Sequence, residues 1–202
     1  MTHRLPARVL RIIFGLLPLV ALGRQLAVHL GLGFSALNFF SYFTNISNLL
    51  AGCVLLLAAV TARESSSRVV ETLRVIAVVN MALVGIVFTL LLRDTDLGAL
   101  LPWVNFVHHY LLPCVVVLDW IVVPPTIRLG RRELLSCLVL PLAYVIYILV
   151  RGKVTGWYPY PFLNPAQVGG ASHVAAYVLG ITLAFITVGW LLILVGNRRR
   201  AN

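Results

Sequence analysis

The stretch Leu73–Leu92, LRVIAVVNMALVGIVFTLLL, decides the fold class. It carries one charge, Arg74, at its very start. A helix needs about 20 mostly apolar residues to cross a bilayer. Backbone in hydrocarbon must pair its own N–H and C=O groups, so a run of this kind is helical. Similar runs lie on either side of it. They predict six spans, at about 9–30, 37–60, 73–92, 101–123, 134–150 and 171–195. Together these take up roughly 120 residues at about 20 apiece, which leaves only short loops and tails. The expected fold is all-α, one polytopic six-helix transmembrane domain over residues 1–202.

Composition agrees with this reading. The 202 residues are 60% hydrophobic and 11% charged, with a mean hydropathy of +0.98. Soluble domains are nearer half apolar and a quarter charged. A soluble enzyme, a disordered chain and a secreted disulfide scaffold are excluded. The first span is too long for a signal-peptide core and no small-residue cleavage site follows it, so it is expected to be retained. Cys53, Cys114 and Cys137 all fall inside apolar runs and read as buried packing residues.

The net charge of +10 does not indicate a nucleic-acid partner, because the cations flank the apolar runs. Arg4, Arg8, Arg11, Arg63, Arg68, Arg74, Arg128, Arg131, Arg132, Arg198, Arg199 and Arg200 fall on one side of the predicted membrane. Arg93, Arg151 and Lys153 fall on the other, and Arg24 lies inside span one. This asymmetry predicts both termini in the cytoplasm. A single lysine among sixteen cations is the bias of a GC-rich coding sequence, so the expected location is a bacterial plasma membrane. The fifth loop holds Trp157-Tyr158-Pro159-Tyr160-Pro161-Phe162 and is expected to form an interfacial cap with its rings at headgroup depth.

Polar residues inside a span are the informative ones. Read as one continuous helix, span two places Asn38, Ser41, Thr44, Asn45 and Asn48 within an arc of roughly 120°. In span four, Asn105, His108, His109 and Asp119 fall within about 100°. Thr44 and His109 then lie at the same depth, roughly 10–12 Å below the outer boundary. Interhelical hydrogen bonding accounts for any one of these residues. The matched depth of two polar faces points instead to a shared site. A neutral imidazole suits a low-dielectric pocket and titrates near neutrality, so His109 is a candidate general base. A threonine hydroxyl becomes a nucleophile once a base takes its proton, which makes Thr44 the candidate nucleophile. Asn45, Asn48 and Asn105 are candidates to bind substrate or an oxyanion. Adjacent histidines point about 100° apart, and no Cys, Asp or Glu lies at their depth, so neither a metal nor another cofactor is expected. Asp119 lies about 15 Å deeper than His109 and is expected to pair with Arg11 or Arg74. Arg24 either snorkels outward or recognises an anionic head.

Three segments resemble the androgen-induced protein family of six-helix membrane hydrolases and their bacterial relatives. They are Phe43-Thr44, Trp103-x-Asn105-x-x-x-His109 with Pro113, and Val154-Thr155-Gly156-Trp157-Tyr158-Pro159-Tyr160-Pro161-Phe162-Leu163. Animal members of that family hydrolyse fatty acid esters of hydroxy fatty acids with an intramembrane Thr and a His. The resemblance implies those roles for Thr44 and His109. Counting back from Pro113 by the animal spacing selects His108 instead, whereas counting on from Asn105 selects His109. His109 is preferred, and the depth match does not separate the two.

The expected function is therefore an integral membrane lipid-ester hydrolase with Thr44 and His109 as catalytic residues. Asn45, Asn48, Asn105, Arg24 and His108 would bind substrate or the oxyanion. The expected partners are membrane lipids and a lipid-ester or fatty-acid-like substrate. The alternative is a lipid- or small-molecule-binding or transport protein without chemistry. The oligomeric state does not follow from the sequence.

Overall fold

The computed structural model describes residues 4–61, 67–95 and 98–201. His3, Arg63 and Asp96 lie outside them. The described residues form helices and connections, with no strand among them. In chain order these are α1 (Arg4–Gly31), α2 (Ala36–Phe40), α3 (Phe43–Val60), α4 (Arg68–Val87), α5 (Pro102–Phe106), α6 (Leu112–Val122), α7 (Arg131–Thr155), α8 (Pro165–Val168) and α9 (Ala171–Ala201). Six apolar helices are long enough to cross a membrane: Pro6–Gly31, Phe43–Val60, Arg68–Leu92, Pro102–Val122, Arg131–Thr155 and Ala171–Ala201. They suit an integral membrane protein.

Three spans depart from the regular helices expected of them. The second is broken at Ser41-Tyr42, so that α2 and α3 are separate helices. Tyr42 takes an extended conformation as the N-cap of α3. The break leaves the Ser41 carbonyl without a helical partner, and the buried Tyr144 hydroxyl donates to it at 2.8 Å. The arc drawn through residues 38–48 as one helix is thereby corrected. Asn38 belongs to α2, while Thr44 and Asn45 open α3. The other departure is a π-turn at Val107–Leu111, between α5 and α6, matched by one at Phe88–Leu92 that extends α4. Such bulges widen the helix by one residue per turn and often occur at functional positions.

The spans also run beyond the predicted limits, to Arg68 in the third, Arg131 and Thr155 in the fifth and Ala201 in the sixth. Hydropathy marks lipid depth, whereas capping residues set helix ends. Ser67, for example, accepts from the Val70 N–H and starts α4.

α4 is the central helix and packs against α3, α6, α7 and α9. The same span stays apolar even where no helix covers it, as at Leu90, which is 74% exposed. This suits contact with lipid and is why Leu73–Leu92 reads so uniformly. α1 lies along α3 through Gly15 and Gly52, where a Cβ on Gly52 would come within 2.8 Å of the Gly15 carbonyl oxygen. Small residues permit this close backbone approach in membranes. Cys137 is buried, but Cys53 and Cys114 are exposed on the outside of the bundle. Those two expected packing residues face outward because their helix faces carry no neighbour.

Near the end of the bundle that carries the termini, Asp119 is gripped by Arg11 through Nε at 2.7 Å and Nη2 at 3.0 Å. Arg74 adds a contact to the same carboxylate at 3.4 Å and one to Glu71 at 2.9 Å. Glu71 in turn accepts from the Thr126 hydroxyl at 2.9 Å. The ion pair expected of Asp119 is present with both candidate arginines and ties α1, α4 and α6 together.

Candidate active site

The site lies at the opposite end of the bundle, where the break before α3 places Thr44 in the first turn of that helix. First-turn amides have no helical acceptor. The Thr44 N–H donates to the Tyr160 hydroxyl at 3.2 Å. The Thr44 Oγ1 lies 3.4 Å from the same hydroxyl and 3.3 Å from His109 Nε2. All three side chains are buried.

His109 is held from three directions. Its Nδ1 lies 2.7 Å from Asn105 Oδ1 and 3.2 Å from the Asn105 carbonyl oxygen. Both Asn105 atoms are acceptors, which places the ring proton on Nδ1 and leaves the Nε2 lone pair facing the Thr44 hydroxyl. Phe88, from the other π-turn, stacks on the imidazole with centroids 3.9 Å apart and 17° between planes. The result is a Thr–His–Asn relay: a hydroxyl, a base, and a group that sets the base's tautomer.

His108 takes a different direction. It is 1% exposed and close enough to the Pro18 backbone of α1 for a hydrogen bond. Of the two adjacent histidines, His109 is the one that reaches Thr44.

The other predicted contributors are placed as follows. The Asn45 amide donates to the Phe39 carbonyl at 2.7 Å, and the Asn48 amide to the Thr44 carbonyl at 2.8 Å. These two support the backbone around the α2–α3 break. Asn105 orients His109 instead of facing an oxyanion. Arg24 is exposed on α1 and is not among the residues that line the cavity described below. Arg151 bonds to Asn38 Oδ1 at 2.5 Å and stacks over Trp157 at 4.6 Å, pinning α2 to the aromatic loop. Among the described residues, no three His, Cys, Asp or Glu side chains converge as metal ligands would.

That loop is the main surprise. Instead of resting at the surface, it folds inward, burying Tyr160, Phe162 and Leu163. In the sequence Tyr160 belongs to the aromatic cap and to the third resemblance segment, with no role of its own. Its flanking prolines, Pro159 and Pro161, were the available signal, since they stiffen a turn that drives one ring inward. Burial pushes the Tyr160 hydroxyl up to about 12, while its hydrogen bonds with Thr44 act the other way. The hydroxyl is therefore neutral and able to donate at physiological pH.

A cavity of about 440 Å³ opens over the site, lined by Thr44, Asn45, His108, His109, Gln25 and Trp157 among others. Gln25 closes part of its wall by pairing with Ala99 and Leu101 of the 93–101 connection. On the other side of Thr44 is a narrow slot of about 70 Å³ between α4, α7 and α9.

Comparison with family models, with curated proteins and with solved structures returns no match. The functional reading therefore rests on the site itself.

Proposed function

We propose that this chain is an integral membrane hydrolase of lipid esters, working through Thr44, His109, Asn105 and Tyr160. The observation that carries the reading is the buried relay Thr44 Oγ1 to His109 Nε2 at 3.3 Å and His109 Nδ1 to Asn105 Oδ1 at 2.7 Å. Thr44 Oγ attacks the ester carbonyl carbon while His109 Nε2 takes its proton. Negative charge then collects on the carbonyl oxygen, beside the Tyr160 hydroxyl and the positive end of α3. The C–O bond breaks and His109 returns the proton to the departing alkoxide, leaving an acyl-threonine. Water, deprotonated by the same imidazole, attacks that ester. The Thr44 alkoxide leaves and takes the proton back.

The arginine asymmetry supports cytoplasmic termini, which would turn the 440 Å³ cavity toward the outer leaflet. The resemblance of the three sequence segments to threonine-dependent membrane hydrolases points the same way.

The test is labelling of the purified protein by a fluorophosphonate, followed by hydrolysis of a lipid-ester panel. One phosphonyl group per chain on Thr44 is expected, lost in Thr44→Ala and slowed more than about ten-fold in His109→Ala. Equal labelling of Thr44→Ala would overturn the assignment.

A further inference from the structure

The two cavities that meet at Thr44 differ in size and in chemistry, and the difference assigns the two halves of the ester. Thr44, Tyr160, Phe88 and Leu92 line both. His109, His108 and Asn45 line only the large one. The slot is bounded by side chains such as Leu83, Val145, Val178 and Phe185. Its polar members are already engaged: Tyr144 donates to the Ser41 carbonyl and Thr182 to the Val178 carbonyl. Away from the Thr44 end, the slot thus offers no free hydrogen-bond donor. A polar head placed there would be left without a donor, at considerable cost.

The chemistry decides which half of the ester enters the slot. The departing alkoxide must receive a proton from His109 Nε2, and the hydrolytic water must give one to it. Both must therefore occupy the side of Thr44 on which His109 stands, the large cavity. The acyl group stays bonded to Thr44 Oγ throughout and has the other side to itself. Resting on the reading of Thr44 as nucleophile, we propose that the slot is the acyl-chain subsite for one unbranched chain and that the large cavity holds the alcohol half and the water. Along α9 the slot runs from Val178 to Phe185. At 1.5 Å per residue this is about 10 Å, but the open volume of about 70 Å³ holds only two or three methylenes at roughly 25–30 Å³ each, so the slot fits a short acyl chain. Its lining residue Leu142 is 42% exposed on the outside of the bundle. The slot thus has a side opening through which a chain enters from the lipid.

The test uses the full chain in nanodiscs and p-nitrophenyl esters from acetyl to dodecanoyl, so that only the acyl half changes. The kcat/KM is expected to climb at least about ten-fold from acetyl to butanoyl, two methylenes at about 0.8 kcal/mol each, and to level off beyond it. Thr182→Phe fills the slot and should abolish that climb while leaving acetyl hydrolysis within about two-fold. Acetyl esters of lengthening alcohols should be indifferent to it. Leu142→Trp, at the exposed opening, serves as the second variant and should give the same pattern if Thr182→Phe does not fold. A Thr182→Phe or Leu142→Trp effect on the alcohol series in place of the acyl series overturns the assignment, as does an equal loss on acetyl and butanoyl esters.

A second readout does not depend on turnover. A short-chain acyl ester with a diazirine at the chain end is cross-linked and the labelled peptides are mapped. Label on residues 138–145 and 178–185 supports the slot even if no ester is hydrolysed, in which case the nucleophile reading alone fails. Label on Trp157, Tyr158 or Pro159, which line only the large cavity, overturns the slot.

Discussion

Tyr160→Phe separates the chemistry of the site from its scaffold. The ring and its packing are retained: it stacks on Phe162 with centroids 5.2 Å apart and 3° between planes, and meets Tyr42 edge-on at 5.8 Å. Only the hydroxyl is lost, 3.2 Å from the Thr44 nitrogen and 3.4 Å from Oγ1. These distances are at or beyond the long end of good hydrogen bonds. Leaving the Thr44 N–H unpaired therefore costs about 1 kcal/mol, the low end for a buried donor. The transition state is different, because there the hydroxyl would face a developing negative charge. Removing one oxyanion donor costs about 2.7–4 kcal/mol, a fall of roughly 10²–10³ in kcat. KM should change little, since the interaction forms only as charge develops. The assay is kcat and KM on a soluble p-nitrophenyl ester, with thermal unfolding measured on the same preparation. A kcat within about three-fold of wild type would refute the role given to Tyr160. So would a kcat loss matched by an equally large loss of stability.

Three other outcomes follow from the same geometry. Asn105→Ala removes the acceptor at 2.7 Å that keeps the proton on His109 Nδ1, so kcat should fall at least about ten-fold with the fold intact; unchanged turnover would remove Asn105 from the relay. Because the Tyr160 hydroxyl titrates only at about 12, it is fully protonated well below that value. The ratio of wild-type to Tyr160→Phe rates should therefore stay constant from about pH 7 to about pH 10, and a ratio that collapses within that window would mean the hydroxyl ionises earlier. Asp119→Asn leaves Arg11 without its carboxylate and Arg74 with Glu71 and the Val123 carbonyl. It should cost about 2–3 kcal/mol, less than for a fully enclosed pair because Arg11 and Asp119 keep some exposure. Denaturant unfolding measures this, and turnover per folded molecule should not change.

The bundle, and the shared depth of Thr44 and His109, were legible in the linear chain. Apolar runs of bilayer length have one solution in hydrocarbon, a helix, and polar residues inside them stand out because burying them is costly. The matched depth of Thr44 and His109 followed from a constant rise per residue. Asp119 was likewise readable, since an intramembrane carboxylate needs a cation and Arg11 and Arg74 were at hand.

What escaped that reading depends on departures from the regular helix or on contacts distant in sequence. Ideal periodicity put Asn38, Asn45 and Asn48 on one face. The break at Ser41-Tyr42 dissolved that face and sent the Asn45 and Asn48 amides to backbone carbonyls. It also put Thr44 at a helix N-terminus, where its N–H has no helical acceptor and donates to the Tyr160 hydroxyl. The π-turn at Val107–Leu111 points His109 at Thr44, while His108 packs against α1. Tyr160, 116 residues from Thr44, belonged to an ordinary aromatic loop until the bundle brought it inward. The sequence by itself determined that there are six helices of membrane length and that Thr44 and His109 fall at a similar level among them, because hydropathy and helical rise are local properties. Only the tertiary structure decided which histidine meets the threonine, which asparagine supports it and which tyrosine caps it, because hydrogen bonds extend about 3 Å and only packing brings distant residues that close.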